Sequence, residues 1–187
     1  MSRWMVAAKR ADFDAIARKY QISPVLARII RNRDVIEDED ISRFLNGTRA
    51  ELYAPMLLKD MDRAVDILLQ KIAEGKHIRI IGDYDIDGIC STYILYRGLA
   101  ACGARVDTAI PHRIRDGYGL NEHLIQEAYD AGTDTVLTCD NGIAAYDQIA
   151  FANTLGMTVI VTDHHEVPYD ETDGERRYKV PQAGAVI

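Results

Sequence analysis

The sequence predicts an α/β protein: a parallel sheet with helices on both faces, preceded by a short helical amino-terminal region. From His77 onward, short runs rich in β-branched residues alternate with helix-like segments. Single helices between strands imply right-handed crossovers, which make neighbouring strands parallel. The first fifty residues contain no such runs and are typical of short helices. We therefore expect a helical extension at residues 1–55 and an α/β domain at residues 56–187.

The amino-terminal region is predicted to hold three short helices. The first is a weakly amphipathic run at 11–20, and the second begins at Ser23 and Pro24, an N-cap followed by proline at the first helical position. The third follows the acidic run 37–40 and ends at Gly47. No chemistry is visible here, so we interpret the region as a helical appendage. The alternative is a basic arm that guides nucleic acid through Arg28, Arg31 and Arg33.

The elements of the α/β region follow in regular order after a helix predicted from Asp60 to Gly75. The predicted strands are 77–82, 105–110, 135–139 and 157–162, and the helices between them are 89–101, 121–132 and 144–155. Residues 171–177 are polar and are expected to form a turn. Residues 183–187 resemble the beginning of one more strand.

The composition is that of a globular protein, with 48% hydrophobic and 27% charged residues. No apolar run approaches the roughly 20 residues that span a bilayer. The first residues also lack the apolar core of a secretion signal. We therefore expect a cytoplasmic protein without a membrane segment. The three cysteines are odd in number and lack metal-finger spacing, which argues against a disulfide framework.

The formal net charge of −7 argues at first against a nucleic-acid partner. The charge is unevenly distributed, however. Residues 1–50 carry 10 lysines and arginines against 7 acids, whereas the remaining residues carry 12 against 22. Divalent cations bound to clustered carboxylates would offset much of this negative charge.

Acids and imidazoles follow three predicted strands at their carboxyl ends. These groups are Asp83, Asp85 and Asp87; Asp140, Asn141 and Gly142; and Asp163, His164 and His165. Ligands bind outside the carboxyl ends of parallel strands, so we expect these groups to converge. Three carboxylates within five residues repel one another unless a cation binds them. Each group alone has an ordinary interpretation as a turn or a solvated surface, but their joint position at three strand ends favours a metal site.

The types of ligand limit which metal ion can bind and which class of reaction it can catalyse. Carboxylates with imidazoles and no thiolate suit Mn²⁺ or Mg²⁺, and this number of acids is enough for two ions. A pair of such ions typically catalyses phosphoester hydrolysis. The sequence contains no P-loop and no complete dinucleotide-binding fingerprint to compete with this interpretation.

The three motifs, in this order and with these separations, resemble those of the DHH phosphoesterases. More narrowly, the chain is similar to the amino-terminal part of bacterial exonucleases specific for single-stranded DNA. The narrower likeness also rests on Asn32-Arg33, Phe44-Leu45, Leu57 to Ala64, Pro111 to Arg113 and Gly117 to Leu120. It therefore spans almost the whole sequence and implies that residues 56–187 are a DHH catalytic domain.

The resemblance also implies a role for individual residues. The implied metal ligands are Asp85, Asp87, Asp140 and His164, with Asp140 bridging two ions. Catalysis is implied for Asp140, His164 and His165. Support of the site is implied for Asp83, Asn141 and Asp163, and phosphate or DNA binding for Arg113, His165, Gly117 and Tyr118. A guanidinium suits a phosphate clamp because it donates in a fixed fork.

The implied function is that of the amino-terminal part of a metal-dependent 5′→3′ exonuclease that acts on single-stranded DNA. The resemblance also implies a role in repair and recombination, with unidentified repair or replication proteins as partners. The sequence departs from the pattern of the family in two respects. Ile81 stands where many DHH proteins have a histidine, and the family's further metal-binding aspartate and second domain would lie beyond residue 187. We therefore expect an incomplete site. The alternatives are a phosphoesterase for small substrates such as oligonucleotides, cyclic dinucleotides or pyrophosphate, and a non-catalytic nucleic-acid-binding relative.

Overall fold

A computed structural model describes Met5 and residues 9–187. The chain divides into two compact units, Met1–Ala54 and Pro55–Ile187. The expectation that there is no secretion signal rests on the first residues of the sequence, most of which lie outside the described part. Among the described residues, no helix is both long enough and apolar enough to cross a membrane.

The first unit contains the three predicted helices, α1 (Phe13–Tyr20), α2 (Pro24–Asn32) and α3 (Asp38–Asn46). Helix α1 begins later than the pattern predicted because the Asp12 carboxylate accepts a hydrogen bond from the Ala15 amide at 2.8 Å. In α2 the hydroxyl of Ser23 accepts from the Leu26 amide at 3.1 Å, which is the predicted cap. The helical amino-terminal region is therefore confirmed.

The second unit alternates helices and strands in the predicted order. After a short 3₁₀ turn at Pro55–Leu57, its elements are α4 (Met61–Ala73), β1 (His77–Ile81), α5 (Ile86–Ala101), β2 (Arg105–Ala109), α6 (Glu122–Asp130), β3 (Thr135–Cys139), α7 (Tyr146–Thr154), β4 (Thr158–Thr162), β5 (Tyr169–Thr172), β6 (Glu175–Tyr178) and β7 (Ala185–Val186). The segment predicted to begin a further strand is β7, which pairs with β4.

The main sheet has the order β2-β1-β3-β4-β7, and all its strand pairs are parallel. One apolar core includes residues of α6 and α7, and the other includes residues of α4 and α5, so helices cover both faces as predicted. The chain passes from β1 to β2 on one side and continues to β3 on the other. This reversal of direction between β1 and β3 is where parallel sheets open a ligand crevice.

Helix α5 begins at Ile86, three residues before the predicted start. The side chain of Asp85 explains the difference, because its Oδ1 atom accepts hydrogen bonds from the amides of Asp87 and Gly88, both at 3.0 Å. This acid therefore serves as the N-cap of the helix. The capping role was not predicted from the sequence.

The polar segment 171–177 was expected to be a turn, and this prediction was wrong in extent. Strands β5 and β6 form an antiparallel hairpin over most of it. The connecting residues are Asp173 and Gly174, at φ 57° and 79°. These are the values of the tight hairpin turn that an Asp-Gly pair favours, so a signal was present in the sequence.

Candidate metal centre

Asp83 lies two residues after the end of β1 and is completely buried. One carboxylate oxygen accepts a hydrogen bond from the Gly119 amide at 3.2 Å. The other has no hydrogen-bond partner among the described residues. Asp83 therefore links the end of β1 to the loop after β2, and it retains one free oxygen.

Asp140 follows β3 in a left-handed backbone conformation with φ 61°, which is unusual for a residue other than glycine. Its side chain is 6% exposed, and Oδ1 accepts a hydrogen bond from His164 Nε2 at 2.8 Å. The second oxygen, Oδ2, is buried without a partner among the described residues. A buried carboxylate oxygen without a donor is costly, and a cation would satisfy it.

Asn141 and Asp163 hold the strand ends in place. The Asn141 amide donates to the carbonyl oxygens of Ile81 and Cys139 at 3.1 and 2.9 Å, which ties β1 to β3. Asp163 accepts from the Ile143 amide at 2.9 Å. Its other oxygen accepts from His165, through the backbone amide at 3.1 Å and ring atom Nδ1 at 2.7 Å.

His165 is held at both ring nitrogens. Nδ1 donates to Asp163, and Nε2 lies 3.2 Å from the hydroxyl of Tyr118. That hydroxyl lies 3.0 Å from the carbonyl oxygen of Asp140, which can only accept, so Tyr118 donates there and can accept from His165. The hydrogen bond to Asp163 raises the pKa of His165, against burial, and the charges of Asp140 and Asp85 add to the rise.

The carboxylates and imidazoles of three strand ends meet at this edge of the sheet. Ligand atoms of Asp140, His164 and His165 lie within 4.8 Å of one another, and we call these three residues the triad. Asp85 lies close enough for its negative charge to raise the pKa of Asp140. Asp87 lines the same cleft as Asp140 and His164.

The electrostatics of two neighbouring carboxylates follow from this crowding. Burial raises the pKa of Asp140, and the negative charge of Asp85 raises it further, although the hydrogen bond from His164 opposes both effects. The pKa of Asp85 is lowered, first by the hydrogen bond from the Gly88 amide. The paired carboxylates therefore differ in proton affinity, as expected for like charges that share a site.

Of the residues predicted to bind phosphate, His165 belongs to the triad and the other three lie in the loop after β2, where only Tyr118 is seen to contact the triad. Tyr118 does so through its hydroxyl, and burial followed by the surrounding carboxylates raises its pKa to about 12. Gly117 contributes a turn at φ 76°. The guanidinium of Arg113 lies 5.2 Å from the ring centre of Tyr84.

Two contributors to the site were missed in the sequence. The guanidinium of Arg113 lies over the ring of Tyr84. The ring centres of Tyr84 and Tyr118 are 6.2 Å apart, and the two rings pack edge-on. Gly119 supplies the amide bound by Asp83. The Gly-Tyr-Gly spacing was a signal for the second, because two glycines at positive φ can bring backbone close to the site.

The donor set fits a hard divalent cation. It offers carboxylate oxygens with imidazole nitrogens, two of the carboxylate oxygens are buried without partners among the described residues, and no thiolate belongs to it. Such ligands suit Mn²⁺ or Mg²⁺. The sheet, the strand-end acids and the paired histidines together define a DHH-type domain.

Comparison with known families agrees: the model of the DHH family, N-terminal domain, matches residues 77–186, and the chain belongs to this family. It is similar to the single-stranded-DNA-specific exonuclease RecJ of Bacillus subtilis strain 168, with 36% identity over 167 residues that cover 88% of this chain and 21% of that protein. The RecJ exonuclease of Thermus thermophilus is 36% identical over 187 residues, which cover 99% of this chain and 25% of the relative.

A crystal structure of exonuclease RecJ bound to manganese matches with a TM-score of 0.59 and 38% identity, covering 72% of this chain and 32% of the other. The chain spans about a fifth to a quarter of the length of the two RecJ proteins compared above.

Proposed function

We propose that this chain forms the metal-binding part of a 5′→3′ exonuclease that hydrolyses phosphodiesters in single-stranded DNA. The observation that carries the proposal is the triad of Asp140, His164 and His165 beside Asp85, at the crevice between β1 and β3. The likeness to single-stranded-DNA-specific exonucleases supports the choice of substrate.

The proposed ligands are Asp85, Asp87, Asp140 and His164. A bound Mn²⁺ or Mg²⁺ pair supplies Lewis acidity toward a phosphoryl oxygen and lowers the pKa of water. The chain's own residues fix the geometry: Asp163 orients His165, and Asn141 holds the ends of β1 and β3 together. Asp83 anchors the loop that carries Tyr118 and Arg113.

Two further side chains are proposed to act on the substrate, His165 in proton transfer and Arg113 in binding. His165, hydrogen-bonded to Asp163, is placed to donate a proton or a hydrogen bond to a substrate oxygen at the triad. Arg113 would hold a phosphate by its guanidinium fork. The carboxylates of Asp83, Asp85 and Asp87 would repel the phosphates of DNA until cations bind. We therefore expect the affinity for substrate to depend on metal.

The proposal is tested in the full-length protein with Asp140→Asn, which removes one negative charge and keeps the shape of the side chain. We expect loss of Mn²⁺-dependent nucleotide release from a 3′-labelled single-stranded oligonucleotide. The control is Asp66→Asn, an exposed acid on α4, which should retain full activity. Full activity of Asp140→Asn would contradict the proposal.

Substrate choice is tested by comparing the oligonucleotide with cyclic dinucleotides and pyrophosphate. Preference for a small substrate would replace the exonuclease with a small-molecule phosphoesterase. Mn²⁺-independent DNA binding without hydrolysis would favour a binding module. The location in the cytoplasm, the role in repair and recombination and the involvement of protein partners stay predictions.

A further inference from the structure

A cavity of about 410 Å³ opens beside the triad, against the ring of His165. We call it the His165 cavity; its lining includes Tyr118, residues 142–145, Gln148, His165 and Glu166. A separate cavity of about 460 Å³ lies against His164, Asp140 and Asp87. The triad therefore lies between two clefts, and the proposed ligands Asp87 and Asp140 line only the second.

The small residues after β3 leave the His165 cavity open. Gly142 adopts φ 114°, and a Cβ atom there would lie 2.7 Å from the hydroxyl oxygen of Thr138. Ala144 and Ala145 follow, so this turn projects only methyl groups beside Ile143. The space is thus a consequence of the turn that leads from β3 into α7.

The lining indicates which part of a nucleotide fits. Glu166 and Asp163 would repel a phosphate, so the anionic part of a substrate belongs at the cations and not in this cavity. Tyr118 and His165 offer aromatic surface, on which nucleobases stack. A volume of this size lies at the lower end of the range of small-molecule sites, about 300–1,000 Å³.

We propose that the His165 cavity binds the nucleobase of the nucleotide whose phosphate lies at the triad. This inference rests on the proposed function. The Gln148 amide both donates and accepts, so it can pair with the edge of any base. The carboxylate of Glu166 only accepts, and every base offers it a donor, either an exocyclic amine or a ring N–H. The site would therefore accept every base.

The inference is tested by NMR titration of the 187-residue chain with deoxynucleotides in the presence of Mg²⁺, which is diamagnetic. Three ligands are compared: dCMP, dTMP and deoxyribose 5-phosphate, which lacks a base. We expect dCMP to bind about tenfold more tightly than deoxyribose 5-phosphate, the scale of one stacked base. We also expect dCMP and dTMP, but not deoxyribose 5-phosphate, to shift the amide signals of Ile143, Ala144 and Gln148.

Variants assign the effect to the cavity. Ala145→Leu fills it and should remove the advantage of dCMP over deoxyribose 5-phosphate, while the affinity for deoxyribose 5-phosphate is unchanged. Gln148→Ala, which leaves the turn intact, should reduce that advantage severalfold. Gln126→Ala, on the exposed side of α6, is the matched control and should change nothing.

Equal affinities for dCMP and deoxyribose 5-phosphate would overturn the inference, as would an advantage of dCMP that survives both cavity variants. Failure of dCMP to bind at millimolar concentration would also overturn it. None of these results touches the proposed function, because loss of oligonucleotide digestion in Asp140→Asn tests that separately. Retained digestion in Asp140→Asn would remove the basis of both.

Discussion

The hydroxyl of Tyr118 donates a hydrogen bond to the backbone carbonyl of Asp140 at 3.0 Å. This contact joins the loop after β2 to the residue after β3, where the backbone holds φ 61°. The same hydroxyl lies 3.2 Å from His165 Nε2. One side chain thus supports two members of the triad, and it does so from a segment more than twenty residues away in sequence.

Replacement of Tyr118 by Phe should therefore weaken the site, because it removes the contacts of the hydroxyl while the aromatic ring still fills its space. We expect the free energy of unfolding to fall by about 1 kcal/mol, the net value of a typical hydrogen bond, and the affinity for Mn²⁺ to fall with it. Urea unfolding and calorimetric Mn²⁺ titration measure the two effects. Tyr129→Phe is the control, because Tyr129 is exposed at the end of α6. If the two variants behaved alike, Tyr118 would have no supporting role.

Two glycines of α5 should respond in opposite ways to alanine. A Cβ on Gly88 would lie 2.4 Å from the carbonyl oxygen of Asp83, whereas a Cβ on Gly98 meets no atom within 4 Å. Gly88→Ala should therefore push α5 away from β1 and cost several kcal/mol of stability, a value typical of severe overpacking. Gly98→Ala should stabilise the protein by about 0.5–1 kcal/mol through helix propensity. Thermal or urea unfolding checks both, and equal effects would refute the close approach.

The stability of the sheet should depend on pH through Asp107 on β2. Burial alone would raise the pKa of this acid, but hydrogen bonding and charge from Arg79, together with His77, outweigh burial and lower it. Arg79 Nε donates to its carboxylate at 2.8 Å. Because the folded pKa lies below the unfolded value of about 3.9, the stabilisation is present above that value and is lost as pH falls through the folded pKa.

Asp107→Asn should accordingly cost roughly 1 kcal/mol near neutral pH, a value kept low because the carboxylate is partly exposed. The difference from the unaltered protein should be smaller near about pH 3 than near neutral pH. Below the unfolded value of about 3.9 the unfolded chain takes up a proton at Asp107, so the stabilisation begins to be lost. Urea unfolding at the two pH values measures it, with Asp147→Asn on the exposed face of α7 as control. A difference that stayed constant with pH would show that the ion pair is not its source.

Tyr84 should act on substrate through Arg113. The guanidinium over its ring is a cation–π pair of the exposed kind, worth about 0.5–1 kcal/mol. Tyr84→Leu in the full-length protein should raise KM for the oligonucleotide roughly two- to fivefold and leave kcat unchanged, whereas Tyr84→Phe should restore it. In an Arg113→Ala background the Tyr84→Leu change should have no further effect. An additive loss in that double variant would contradict the coupling.

The convergence of the site residues could be predicted because parallel strands present their carboxyl ends at one edge. Asp83, Asp140 and Asp163 follow three adjacent strands, and this placement needs no knowledge of side-chain packing. The helical amino-terminal region was likewise predictable from the cap at Ser23. The features that could be predicted from the sequence were the periodicity of the helices and strands and the positions of their ends.

The remaining features depend on tertiary contacts that no local pattern encodes. The bond from Tyr118 to Asp140 requires a loop shaped by Gly117 and Gly119, both at positive φ. The His165 cavity is lined both by the turn after β3 and by that loop, which are distant in sequence. The hairpin of β5 and β6 is different, because its Asp173-Gly174 turn was a local signal that the polar composition obscured.

The proposed function requires that Asp85, Asp87, Asp140 and His164 hold a divalent cation. It is tested most directly by the anomalous diffraction of Mn²⁺ in crystals of the full-length protein grown with MnCl₂. We expect an anomalous peak within about 2.0–2.4 Å of a carboxylate oxygen of Asp140 and of His164 Nε2, the range of direct coordination by hard divalent ions. The His164–Asp140 hydrogen bond would be replaced. Density without such a peak, with that hydrogen bond intact at saturating Mn²⁺, would contradict the claim.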